Sequence, residues 1–459
     1  MHRPLLVLAL GAFAASSSAA QRAALSAGGP LIAGSAHPFE LSAPELPGAP
    51  YAAALSLSVL PGIEVGSTWI GLAPDELFFA SLGAVGGALD GAGRAGFDVA
   101  VPRDAALEGL AVSFAAVVLD AGAPDGIGAV SNTLTRRVRL VPPAYDFAAV
   151  DQVLAGFSDG WFFNDGIAFV FVQNGELVHV SSFGDLAPDT RVPYASATKW
   201  LSGAALATLV DAGELSLDDP LAEYLPLFLG PKAEITFRQA FAHTSGLPGG
   251  WGCVSDTAST LQACAFSIAF APLNGAPGEL FDYGGPSMHA AGAAIENLTG
   301  MGYEAWFQTA LGEPLGLGSV AYDGFGATLN PQVAAGAKGT VLDYVPLLVA
   351  MLDGGSAGGV PALSTRAVLD VLAEQTGGVP VLSTPFTEAL GYGVGCWVEA
   401  LDEAGRSSRL SSPGAFGAYP WVDLEHGYGA FVLMLRNTTD GMAVVEAIRP
   451  LLEQLADRG

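Results

Sequence analysis

The sequence predicts an α+β protein in two parts. A small all-β sandwich is expected over residues 30–140, and a larger α/β domain over residues 150–459, built on an antiparallel sheet flanked by helices and carrying a helical subdomain. Three observations lead there. The chain has 459 residues, more than one hydrophobic core usually supports. Residues 30 to 140 read as short apolar runs separated by Gly and Pro, with no helical pattern between them. After "VPPAYDF" the texture changes, with strand-like runs at both ends of the remaining chain and helical patterns between them.

Residues 1–20 read as a signal peptide: a basic start, an apolar run from Leu5 to Ala15, and small residues ending at Ala20. The run is too short to span a bilayer, and no later stretch is both apolar and free of breakers for long enough to cross one. The expected location is secreted or periplasmic. Beyond it, "AALSLSVL", "TWIGLA", "LFFASLG", "AGFDVAVP", "LAVSFAAVVLD" and "TRRVRLVP" are the clearest strand candidates, spaced as in an Ig-like sandwich. The acidic "DAGAPDGIG" between the last two is a turn. Residues 141–149 form a linker, because paired prolines hold the chain extended. "GIAFVFVQNGELVHVSSFG" is a hairpin around an Asn-Gly turn. Helices are expected at 199–213, 286–299, 341–353 and 442–455, and strand-like runs at 391–400 and 413–436.

Composition narrows the function. A net charge of −27 excludes the basic footprint of a nucleic-acid binder and disfavours attraction to anionic lipid. There are three cysteines. Cys253 and Cys264 are close in sequence and free to pair in an oxidising compartment, whereas Cys396 lies in a strand-like run as a buried thiol. No metal site is expected, since none of the six histidines has ligand spacing with the cysteines. No cofactor is expected either.

The chemistry points to "YASATKWLSGAALATLVDAGELSLDDP". Lys199 is one of three lysines in the chain and stands three residues after Ser196 in an otherwise apolar helical run. At i and i+3 the two side chains share a helix face. The positive helix terminus favours negative charge on the serine oxygen, and burial lowers the lysine pKa, so the amine can accept the serine proton. The bland reading is a helix cap followed by a lysine snorkelling to solvent.

Context distinguishes them. The nucleophile region, "ITFRQAFAHTSGLPGG", "PGELFDYGGPSMHAAGAAIENLTG" and "SSPGAFGAYPWVD" resemble, in this order, four markers of the serine β-lactamase and penicillin-binding-protein superfamily, in its class C-like branch of esterases and D-aminopeptidases. The resemblance covers roughly residues 150 to 455 and implies a β-lactamase/transpeptidase-like fold. It makes Ser196 the nucleophile, Lys199 its proton partner and Tyr283 a general base and later acid. The backbone N–H groups of Ser196 and Ala415 would form the oxyanion hole, with Gly285, Ser412 and Gly414 lining the substrate site.

Two positions depart from the family pattern. Gly285 stands where the second motif often has Asn, and Ser412-Pro413-Gly414 replaces a third motif that normally begins with Lys or His. Glycine offers no carboxamide, and a serine hydroxyl offers no charge to a substrate carboxylate. Arg406 and Arg409 are near enough in sequence to compensate, although solvated loop positions suit them as well. Pro413 fits an edge strand. Three other features are decoys. Gly354–Gly358 matches G-x-S-x-G but follows a helix, so Ser356 is not on a nucleophile elbow. His243 is expected to be structural, and Lys338-Gly339-Thr340 has the third-motif residues transposed.

The leading reading is an exported serine hydrolase that forms an acyl-enzyme on a small-molecule or peptide ester or amide, esterase-like rather than a true β-lactamase. The alternative is a degenerate relative serving as a binding scaffold through its sandwich, whose partner the sequence does not name. A Ser-His-Asp hydrolase lacks an elbow.

Overall fold

The computed structural model describes residues 21–158 and 166–459. The expected signal peptide lies outside the described residues. No described helix is long and apolar enough to cross a membrane.

Residues 21–139 form a nine-stranded sheet wrapped around its own apolar core, which includes Leu25, Phe39, Leu41, Phe114 and Val118. The strand Ala111–Leu119 is its axis. One edge pairs antiparallel with Pro50–Ser56, while the other is shared by Ile127–Ser131 and Leu134–Arg139. The strand Gln21–Ser26 pairs with Ile127–Ser131 through its first half and with Ala36–Ser42 through its second, so it joins the two layers. "LFFASLG", expected as a strand, is instead the helix Glu76–Ser81. Its apolar residues look strand-like, but Asp75 accepts a hydrogen bond from the Phe78 N–H at 2.8 Å and caps the first turn.

The second sheet has seven strands, all antiparallel, in the order Glu176–Gly184, Gly166–Gln173, Tyr428–Met434, Tyr419–Asp423, Ser407–Ser411, Trp397–Leu401, Gly391–Tyr392. The first two form the hairpin read from the sequence, and Asn174 and Gly175 both take positive φ at its turn (52° and 78°). Every residue of Gly166–Gln173 is buried, because helices cover both faces. Ala168, Val170 and Val172 face the larger core beneath the helices Thr198–Asp211 and Val345–Leu352. Ile167, Phe169 and Phe171 face the smaller core beneath Ala148–Ser158 and Thr438–Ala456.

The N-terminal sheet meets the ends of the helices Val345–Leu352 and Thr365–Leu372 through buried polar contacts. Arg136 forms a two-pronged ion pair with Asp353 at 2.7 and 2.8 Å, Asn132 donates to the Asp353 carbonyl at 2.9 Å, and the Thr133 N–H donates to Thr365 at 2.8 Å. A cavity of about 370 Å³ opens beside this seam, between residues such as Leu57, Thr135, Met351 and Leu424.

Candidate active site

The helix Thr198–Asp211 is preceded by a tight turn, Ala195–Ala197, that carries Ser196. Ala195 has φ of 48°, a left-handed conformation that costs an alanine about 1–3 kcal/mol. Contacts on every side hold it there. The Tyr194 N–H donates to the Ala337 carbonyl at 2.9 Å, its hydroxyl to the Thr340 carbonyl at 2.5 Å, and the Tyr344 hydroxyl to the Ala197 carbonyl at 2.8 Å. Gly414 closes the other side; a Cβ there would lie 2.2 Å from the Tyr194 carbonyl oxygen. Ser196 is left half-buried, open to solvent on one side.

Lys199 is only 3% exposed. Its Nζ donates to Ser196 Oγ at 3.0 Å and to the Ala334 carbonyl at 2.9 Å, and lies 4.6 Å from the centre of the Tyr283 ring. Burial lowers its pKa to about 7, so the neutral amine is well populated at neutral pH. Tyr283 follows the short strand Phe281–Asp282, and its N–H donates to the Ser383 carbonyl at 3.1 Å. Its ring stacks on Trp397 at 5.0 Å and packs against His243 at 4.7 Å and Tyr392 at 6.0 Å. Burial pushes its phenol pKa up, with hydrogen bonds to Ser196 and Tyr392 pulling the other way. The phenol is therefore protonated at neutral pH, and the amine within 3.0 Å of Ser196 Oγ is the group able to accept a proton there.

His243 is 1% exposed and packed among aromatic rings. Burial, with the Lys199 charge behind it, drives its pKa well down, so it stays neutral. No hydrogen bond links it to Ser196, and its backbone carbonyl ties the segment to Asp282. His289, buried behind Gly285, is lowered to about 4 mainly by burial.

The third-motif region departs from expectation. The strand Ser407–Ser411 is internal to the sheet and ends before Pro413, so the proline needs no edge: it follows the ladder, where its missing N–H costs no bond. Ser412 hydroxyl donates to the Ser196 carbonyl at 3.0 Å, so its proton braces the turn that carries Ser196 rather than facing a substrate. Arg406 pairs with Asp402 at 2.7 Å in an exposed hairpin. Arg409 is held by Glu399 at 3.4 Å and Glu453 at 3.3 Å, on the face packed against Thr438–Ala456. Neither reaches the Ser196 cleft. Ala415 is exposed on the turn after Gly414, and its N–H has no acceptor among the described residues. Gly285 precedes the helix Pro286–Thr299, and its carbonyl accepts from the His289 N–H at 3.0 Å. The second hydrogen bond of Lys199 goes to the Ala334 carbonyl. Sequence reading missed that acceptor, because every residue carries a carbonyl and no side-chain pattern marks one.

Cys253 and Cys264 are joined by a disulfide that ties the turn Gly252–Ser255 to the helix Leu261–Ile268, and Cys396 is a buried free thiol. Ser356 is buried in a two-residue strand after Gly354 and Gly355, far from an elbow geometry. Away from the cleft, Asp423, His426 and Glu453 converge as potential metal ligands. Arg409 lies 3.7 Å from Asp423 and 3.3 Å from Glu453, so that cluster already holds a cation.

Known proteins resemble this chain in sequence and fold. The Beta-lactamase family model covers residues 163–454. Protein flp of Staphylococcus aureus is 27% identical over 165 residues, 33% of this chain and 33% of its own length. Esterase EstB of Burkholderia gladioli is 27% identical over 181 residues, 33% of this chain and 45% of its own. The match thus spans a third to under half the length of these curated relatives. A crystal structure of a candidate β-lactamase from Bacteroides dorei superposes with a TM-score of 0.61 at 30% identity, over 67% of this chain and 99% of that one. A fold with esterase relatives and a family match over well over half its length makes this chain a member of the Beta-lactamase family, with a hydrolase fold.

Proposed function

We propose that the protein is an exported serine hydrolase that acts through an acyl-enzyme at Ser196, on carboxylic esters in preference to carboxylate-bearing amides. The observation that carries this is the 3.0 Å hydrogen bond between Ser196 and a buried lysine whose pKa is lowered to about 7. As Ser196 Oγ bonds to the substrate carbonyl carbon, its proton passes to the neutral Lys199 amine, and the carbonyl π pair moves onto oxygen. The Ser196 and Ala415 N–H groups would hold that oxyanion. Collapse expels the alkoxide, which takes the Tyr283 phenol proton, and the Lys199 ammonium restores it. Water then attacks the acyl carbon, giving its proton to Lys199, and Ser196 leaves with a proton returned from the ammonium.

The ester preference rests on the third-motif serine, whose hydroxyl is spent on backbone, and on Arg406 and Arg409, which are held elsewhere. An esterase among the relatives supports it. Export rests on the N-terminal sequence and agrees with a disulfide.

Purified protein is expected to hydrolyse a short-chain nitrophenyl ester, and Ser196→Ala to abolish turnover. A fluorophosphonate probe followed by peptide mass spectrometry should place its label on Ser196. Undiminished turnover by the variant would overturn the assignment. Absence of both turnover and label would leave the fold as a binding scaffold.

A further inference from the structure

The space beside Gly285 is filled by Val254. A Cβ built on Gly285 would lie 2.9 Å from Val254 Cγ1 and 3.9 Å from the Ala334 Cβ, and the Ala334 carbonyl is the one that holds Lys199 at 2.9 Å. Val254 therefore stands one residue from the groups that position the proton acceptor. It is half-buried, packed against the large core on one side and open on the other.

The turn that carries it is fastened at three points. The Cys253–Cys264 disulfide ties it to the helix Leu261–Ile268. Asn330, 1% exposed, donates to the carbonyls of Cys253 at 2.9 Å and Asp256 at 3.0 Å. Trp251 Nε1 donates to Ser267 at 2.9 Å. A methyl surface so braced cannot swing away to admit a polar group.

We infer that Val254 is a specificity-determining residue, forming the apolar wall of the pocket that takes the acyl group. This inference rests on acylation at Ser196. An amide carried on the acyl chain would meet methyl groups there and lose its hydration without a partner, whereas a plain alkyl chain would pack. The substrate class is thus narrowed to esters of unsubstituted aliphatic acids.

The test compares nitrophenyl pentanoate with nitrophenyl N-acetylglycinate, two acyl chains of equal length that differ by an amide. Val254→Thr changes one methyl to a hydroxyl at nearly constant volume and should shift the kcat/KM ratio toward the acetylglycinate by roughly tenfold. Val254→Ala, which only enlarges the space, should keep the alkyl preference. Separately, Gly285→Ala should lower the melting temperature in the wild-type background and have little effect beside Val254→Ala, a readout of the contact that needs no activity. An unchanged ratio in Val254→Thr, with turnover still dependent on Ser196, would overturn the wall. Turnover of both esters independent of Ser196 would overturn the acyl-enzyme reading, and this inference with it.

Discussion

Lys199 shows how one side chain links stability to chemistry. Its ordinary pKa of 10.5 is lowered to about 7 by burial, so between these values the unfolded chain binds more protons than the native one. Stability should rise with pH across that window, and the penalty should be fully present below about pH 7. Lys199→Met is expected to be inactive yet more stable by an amount on the order of a few kcal/mol at pH 6, the difference shrinking toward pH 10 in thermal melts. The same ionisation predicts that kcat/KM of the wild type climbs with pH through an inflection near 7. Tyr283→Phe keeps the ring on Trp397 and removes only the hydroxyl. Turnover should fall by about 10²–10⁴-fold with little change in melting temperature, measured in parallel on the same preparation.

At the scale of elements, periodicity was legible where burial alone set the pattern. The helix Pro286–Thr299 coincides with the expected 286–299, and the Asn174-Gly175 hairpin follows from two residues that tolerate positive φ. Local hydrogen bonds defeated the reading elsewhere. Asp75 turns an apolar run into a helix, and the strand before Pro413 stops early, leaving a loop that brings Gly414 against Tyr194. The serine–lysine spacing was legible because both groups sit on one turn. The Ala334 carbonyl and Val254 were not, since they come from segments more than 50 residues away and carry no chemistry of their own. The disulfide turn is testable as a unit. Replacing Cys253 and Cys264 by Ser should destabilise the protein by about 2–4 kcal/mol, read from denaturant unfolding, if the closed loop constrains the unfolded chain as expected.

Across the whole molecule, the seam between the N-terminal sheet and the helices of the larger part carries a charge pair. Arg136 and Asp353 are 1% and 9% exposed, so removing one partner strands the other in a dry interface. Arg136→Met should cost about 3–5 kcal/mol, and adding Asp353→Leu should recover much of it, by the same unfolding assay. A simple additive loss in the double variant would show that the pair carries no coupling. The core of the larger part is equally constrained. Ala168, Val170 and Val172 meet the helix Val345–Leu352 with small side chains, while Ile167, Phe169 and Phe171 fill the far side, so a one-residue slip would exchange the two sets and jam that helix. Such a floor leaves descendants of this sequence little freedom to diversify from below. New substrate preferences should be acquired along the rim, by changes in the turns at 250–257 and 414–417, while the floor stays fixed through evolution.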